Sequence, residues 1–259
     1  MYLTTLLSSL PAPFEEAVRQ VADLGFTHVD VVGLGERPDS HRAALAEAGL
    51  LVACVAVGRG LPEGQALDAA DITLRRAAVA AVERHIADAA LLGATHCYLV
   101  PGTENGTDAL LCFGDSCRHL ADFAAGRGVR LCVEHVPGRA LARADAVLDW
   151  LEQPGHDRLA LLLDVGHCLI TAEDAAAVVR RAGPRLGYVH FDDNDGVADR
   201  HWPLLTGRLS EAQLRDVAAA LAAIDYRGAL CLELNPQNAE PVAALRQGKA
   251  LLQRLVVSP

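Results

Sequence analysis

Aromatic residues are few in this sequence, and long apolar runs are absent from it. Phe, Trp and Tyr make up 4% of its 259 residues although 51% are hydrophobic, so the core must be aliphatic. Aliphatic runs suit parallel strands that helices bury on both faces. No apolar run reaches the length of a membrane span, and MYLTTLLSSLPAPFEEAV lacks the basic start of a signal peptide. We therefore expect no membrane partner.

Paired thiol motifs are also missing. The seven cysteines form no C-x-x-C pair, which argues against a thiolate zinc site or a redox dithiol. Four of them lie in apolar runs, where a thiol behaves as a small hydrophobe: Cys54, Cys97, Cys132 and Cys231. This usage indicates a reducing compartment, so we expect a cytoplasmic protein. The net charge of −10 disfavours a nucleic-acid partner.

Short aliphatic runs alternate with longer helical patterns along the chain. We predict eight strands, which are Tyr2–Leu7, His28–Val32, Leu51–Val57, Cys97–Val100, Arg130–Glu134, Leu159–Asp164, Gly187–His190 and Ala229–Leu234. Many of the helical patterns end at glycine, as in PFEEAVRQVADLG and HRAALAEAG. Eight such alternations without a linker predict one α/β domain over residues 1–259, a single (β/α)8 TIM barrel. The alternative is an open doubly wound sheet, but no G-x-G-x-x-G follows the first strand.

Polar residues end four consecutive predicted strands. Glu134 ends the fifth strand, Asp164 the sixth, His190 the seventh and Glu233 the eighth. A single acid at such a position usually marks only the point where a strand reaches solvent. In a barrel, however, the C-terminal ends of all strands meet at the active-site face. Four polar ends in succession therefore indicate one shared site.

This set of side chains predicts a bound cation. Three carboxylates that face one cavity repel each other and lose hydration, and a divalent ion relieves both penalties. Carboxylates with one imidazole suit manganese, magnesium or cobalt, and zinc also accepts them. We therefore expect one divalent metal ion, held by Glu134, Asp164, His190 and Glu233.

The chain resembles the sugar phosphate isomerase/epimerase-like family of xylose isomerase-like TIM barrels. The resemblance covers nearly the whole chain and is most specific in CVEHVPG, LLLDVGHCL, YVHFDDNDGVADRHWPLLTGRLS and YRGALCLELNP. It implies the same four metal ligands. It also implies that His167, in the D-x-G-H pattern, contacts the substrate or holds a second metal ion.

The same superfamily includes endonuclease-IV-type AP endonucleases, which carry a trinuclear zinc cluster. His167, Asp199 and His201 match the positions that hold a further zinc ion in those enzymes. The histidines expected at the ends of strands three and four are absent, because the sequence reads VAVGRG and YLVPG there. The resemblance thus excludes a trinuclear site and leaves a binuclear site open.

One family motif departs from its usual form. The G-E-G that follows strand seven appears here as LTGR, in which Thr206 takes the place of the acid. Any role of that acid is therefore in doubt. Arg208 is a candidate for binding a substrate carboxylate or phosphate, and a solvated loop arginine is the equal alternative.

The constellation predicts a metal-dependent isomerase or epimerase that moves a proton next to a carbonyl. The substrate would be a small sugar, sugar phosphate or keto-polyol. Glu134 and Glu233 lie on non-adjacent strands and are candidates to remove and return the proton, with His167 as a further candidate base. The alternatives are a dehydroshikimate dehydratase-type lyase, a phosphodiesterase or AP endonuclease-like hydrolase, and a non-catalytic metal-binding barrel. A homo-oligomeric assembly is left open.

Overall fold

Eight strands of the chain pair into one parallel sheet in the computed structural model, which describes residues 1–153 and 155–257. In chain order they are β1 Tyr2–Thr5, β2 His28–Val32, β3 Leu51–Ala56, β4 His96–Leu99, β5 Arg130–Glu134, β6 Leu159–Asp164, β7 Leu186–Phe191 and β8 Ala229–Leu232. The predicted strands agree with these closely. The first is shorter than predicted because Leu7–Ser9 forms a 3-10 turn.

The helices follow the strands in regular alternation. They are α1 Phe14–Asp23, α2 Asp39–Glu47, α3 Ile72–Leu91, α4 Thr107–Ala125, α5 Ala144–Leu151, α6 Val165–Thr171, α7 Ala175–Ala182, α8 Glu211–Ala223 and α9 Pro241–Val257. Among the helices within residues 1–153 and 155–257, none combines the length and apolar composition that a membrane span requires. Helix α6 was not predicted, because it is short and directly follows β6.

The order of the strands closes the sheet into a barrel. The sheet runs β1-β8-β7-β6-β5-β4-β3-β2, with every pair parallel. Its two ends meet through an isolated bridge between Leu6 and Asp30. This topology confirms the predicted (β/α)8 barrel.

The alternation of side chains along each strand decides what the barrel interior contains. Cys132, Leu162, Tyr188 and Cys231 are buried in a cluster of interior side chains, and the outward-facing strand residues pack beneath the helices. Each of these four residues lies two positions before a predicted metal ligand. Successive strand residues face opposite sides, so all four predicted ligands face the interior at its C-terminal mouth.

Candidate metal centre and active-site cavity

The four predicted ligands meet at the mouth of the barrel. Glu134, Asp164, His190 and Glu233 each offer a donor atom, and these atoms lie within 4.8 Å of one another. Nδ1 of His190 is 2.5 Å from Oε2 of Glu233 and 3.6 Å from Oε1 of Glu134. All four residues are buried. The structure thus brings together the residues that the sequence placed in one site.

Unpaired polar atoms in this cluster fit a bound cation. Oδ1 of Asp164 accepts the backbone N–H of His167 at 2.8 Å, but Oδ2 has no hydrogen-bond partner among the described residues. The same holds for both ring nitrogens of His190 and for Oε2 of Glu233, whose close approach is not aligned as a hydrogen bond. Buried polar atoms without partners are costly, and a shared metal ion would satisfy these donors together.

The carboxylates around His190 favour a positive charge on its imidazole ring. Burial disfavours the imidazolium of His190, but Glu233 and Glu134 outweigh this effect and raise its pKa. Burial alone would raise the pKa of Glu233, yet His190 holds it well below its usual range. A single proton on the imidazole therefore balances several carboxylates. A divalent cation would replace that proton, since metal ligands must be deprotonated.

A second group of side chains lies beside the first. The carboxylate of Asp199 joins two histidines, with Oδ2 at 3.3 Å from Nε2 of His167 and Oδ1 at 3.0 Å from Nε2 of His201. Donor atoms of the three residues lie within 4.8 Å of one another. The structure therefore also brings together the three residues predicted to line the site or to hold a second ion.

Asp192 belongs to this region and was missed in the sequence. Its Oδ2 lies 2.6 Å from Nδ1 of His201, and it forms a further donor group with Asp164 and His201. Burial and the neighbouring Asp164 raise the pKa of Asp192 to about 7. The signal was present in FDDND, because Asp192 follows His190 by two residues and thus faces the same side. Asp164 belongs to this group and to the four-ligand group, so it links them.

The glycine of the D-x-G-H pattern makes room for Asp192. A Cβ built on Gly166 would overlap Oδ1 of Asp192 and lie 2.6 Å from Nδ2 of Asn194. We expect Gly166→Ala to lower the free energy of unfolding by about 1–3 kcal/mol, because the buried carboxylate must move. Urea denaturation measures this change. The matched control is Gly126→Ala, where the Cβ meets nothing closer than 3.5 Å. Equal stability of both variants and the wild type would contradict this role of Gly166.

Two hydrogen bonds determine how His167 presents its ring. Nδ1 lies 2.8 Å from the carbonyl oxygen of His135, which can only accept, so Nδ1 carries a proton. Nε2 therefore faces Asp199. Burial disfavours the charged ring, but Asp164 and Asp199 outweigh it and raise the pKa of His167 to about 10. With a metal ion nearby in place of that proton, Nε2 would become a base or a ligand.

A cavity of about 580 Å³ opens above the two groups. Its inner wall consists of Glu134, His167, Asp199, His201 and Glu233. Its outer wall comes from the loops after β3, β4 and β5. A polar mouth of this size at the C-terminal face of a barrel is where such folds bind substrates.

Of two arginines near the mouth of the barrel, Arg59 lines the cavity and Arg208 does not. Arg59 was missed, because it lies in a loop without a strand-end pattern. Its Nη2 donates to the Tyr98 hydroxyl at 3.0 Å and lies 3.7 Å from Oε1 of Glu233. Arg208, the candidate from the sequence, lies outside this cavity, and its guanidinium packs against Gly196.

The sequence matches the family described as xylose isomerase-like TIM barrel over residues 18–255. The chain belongs to this family, which agrees with the resemblance found in its motifs. A solved structure of D-psicose 3-epimerase with D-tagatose, from Clostridium cellulolyticum H10, superposes with a TM-score of 0.84. The alignment covers 99% of both chains at 17% identity, so it shows a shared fold.

Curated relatives match shorter segments. L-ribulose 3-epimerase from Methylomonas sp. (strain DH-1) is 34% identical over 119 residues, which are 45% of this chain and 39% of the relative. Inosose dehydratase from Geobacillus thermodenitrificans (strain NG80-2) is 28% identical over 91 residues, which are 35% of this chain and 30% of the relative. The matches thus span between about a third and two fifths of these relatives' lengths.

Proposed function

We propose that the protein is a divalent-metal-dependent epimerase or isomerase that acts on a small sugar or keto-polyol. The observation that carries this proposal is the cluster of Glu134, Asp164, His190 and Glu233, whose donor atoms lie within 4.8 Å of one another beneath an open cavity. The similarity to an L-ribulose 3-epimerase supports the substrate class.

The two glutamates would transfer the proton. Glu134 ends β5 and Glu233 follows β8, so β6 and β7 lie between them and they reach the cavity from different sides. One glutamate would remove the proton next to the substrate carbonyl, and the other would return a proton. Return to the opposite face of the same carbon gives an epimer, and return to the adjacent carbon gives an isomer.

The cation would be manganese, magnesium, cobalt or zinc, held by the three carboxylates and the imidazole. When bound, it would polarise the substrate carbonyl and stabilise the negative charge that develops there. Arg59, next to Glu233, offsets part of the charge of the ligands. His167 would bind a substrate hydroxyl through Nε2. Alternatively, His167 would hold a second ion together with Asp199 and His201, next to the donor group of Asp164, Asp192 and His201.

A lyase is the second candidate, since one relative is an inosose dehydratase. The two reactions begin with the same proton removal and differ in the next step. A dehydratase expels water, so its product is lighter than the substrate by one water molecule. An epimerase or isomerase leaves the formula unchanged.

Solvent isotope exchange tests the proposed function. The manganese-loaded protein is incubated in deuterated water with ketoses, inososes and hydroxy-keto acids, and NMR and mass spectrometry follow the products. We expect metal-dependent incorporation of deuterium at the carbon beside the carbonyl. An unchanged formula supports the epimerase or isomerase, whereas loss of water supports the lyase. Metal-dependent cleavage of abasic DNA without exchange on any of these compounds would overturn the proposal in favour of the endonuclease branch.

A further inference from the structure

A second cavity of about 580 Å³ adjoins the one above the metal cluster. The two cavities share one wall, which consists of Ala66, Asp68, Gly102 and Arg139. From this wall the second cavity extends to the start of α4, where Ala109 lines it. Each cavity alone lies within the usual range of ligand sites, roughly 300–1,000 Å³. A substrate that consists of one sugar unit would use only the first.

Two charged side chains of opposite sign stand at the shared wall. The carboxylate of Asp68 packs directly on Gly102, where a Cβ would overlap Oδ2. Arg139 lies in the loop after β5, which is joined to the loop after β4 by the hydrogen bond from Ala140 N–H to the Gly102 carbonyl, 2.9 Å. The charged groups of Asp68 and Arg139 each line both cavities. Both are therefore available to a ligand that crosses the wall.

The other lining residues of the second cavity determine which chemical groups of a ligand can bind there. Thr103, Glu104 and Asp108 add oxygen atoms to its lining. The carboxylates of Asp68, Glu104 and Asp108 would repel a phosphate or carboxylate. Hydroxyl groups fit, since they donate to carboxylates and accept from a guanidinium. The lining therefore favours a neutral group rich in hydroxyls.

We propose that the substrate is a glycoside with two sugar units. The reacting unit occupies the first cavity, and a second unit, linked through a hydroxyl remote from the carbonyl, occupies the cavity between Asp68 and α4. This inference rests on the proposed function for the identity of the reacting unit. The second cavity then determines specificity, whereas the metal cluster determines the reaction.

A panel of ketose disaccharides tests this inference. Maltulose, leucrose and isomaltulose carry glucose on different hydroxyls of fructose remote from the carbonyl, and free fructose is the reference. With manganese-loaded protein, kcat/KM for deuterium exchange and the rise in melting temperature on binding are measured for each sugar. We expect kcat/KM for at least one disaccharide to exceed that for fructose by about tenfold. One additional hydrogen bond to a charged group contributes enough binding free energy for a factor of this size.

Variants separate the two cavities. Ala109→Phe fills the second cavity. It should reduce kcat/KM for the preferred disaccharide to the value for fructose and leave kcat/KM for fructose unchanged. Asp68→Asn should lower kcat/KM for the disaccharide by about tenfold, because a charged hydrogen-bond acceptor is lost. The control is Leu111→Phe. Leu111 lies on the same helix but is 58% exposed, so this variant should leave kcat/KM unchanged for both sugars.

The outcomes are distinct. A disaccharide advantage that Ala109→Phe removes supports the inference. The inference is overturned if fructose reacts and binds as well as every disaccharide. It is also overturned if Ala109→Phe lowers kcat/KM equally for both sugars. Tighter binding of a disaccharide, lost in Ala109→Phe but without exchange on any sugar, overturns the proposed function and supports the second cavity as a sugar site. The absence of both exchange and binding overturns the inference as well.

Discussion

Replacement of Glu233 by Gln will reduce the rate of solvent deuterium exchange by about 10²–10⁴-fold, the usual contribution of a general acid or base. The amide keeps the shape of the side chain but cannot take up a proton. It also removes one anionic ligand, so the metal content of the variant must be measured in the same preparation. Exchange is followed by NMR under saturating manganese.

A surface glutamate provides the control for this variant. Glu47→Gln changes the same group on the exposed side of α2 and should leave the rate unchanged. A Glu233→Gln protein that retains both its metal and its exchange rate would contradict the role of Glu233 in proton transfer. Loss of the metal together with the rate would assign Glu233 to binding and leave Glu134 and His167 as the bases.

Manganese will raise the melting temperature of the metal-depleted protein by roughly 5–10 °C. At one hundred times its dissociation constant, a ligand stabilises the folded state by about 2.7 kcal/mol, and a chain of this size gains about 2–4 °C per kcal/mol. The gain arises because the buried oxygens of Asp164 and Glu233 and the nitrogens of His190, unpaired among the described residues, acquire a partner. Calorimetry with and without manganese measures the shift.

Two histidine variants test where the stabilisation originates. His190→Ala removes a buried ligand and should abolish most of the shift. His119→Ala removes a histidine whose side chain is 58% exposed, and it should keep the full shift. An equal shift in both variants would place the manganese elsewhere on the protein.

Much of the barrel, and the meeting of the four candidate ligands at its mouth, could be predicted, because both depend on short-range periodicity. The aliphatic runs repeat eight times, and in each of the last four a polar residue follows an interior residue by two positions. The same rule applies to Asp192, two residues after His190, but several acids follow one another in FDDND and the rule alone does not single out one of them. Helix α6 was missed because a short helix that starts at the strand end leaves no periodic pattern.

The walls of the cavities could not be predicted in the same way. Arg59, Asp68 and Arg139 lie in loops, and their positions depend on contacts between segments far apart in sequence. Arg208 shows the same dependence. A contact with a substrate carboxylate or phosphate stays a prediction, and the structure places its guanidinium against Gly196, outside the first cavity.

Anomalous diffraction from crystals grown with manganese is the most direct test of the metal centre. We expect one strong anomalous peak within bonding distance of a donor atom from each of Glu134, Asp164, His190 and Glu233. A weaker second peak among His167, Asp192, Asp199 and His201 would extend the centre to two ions. A protein that binds no manganese in this cluster, or binds it only at the surface, would contradict the account.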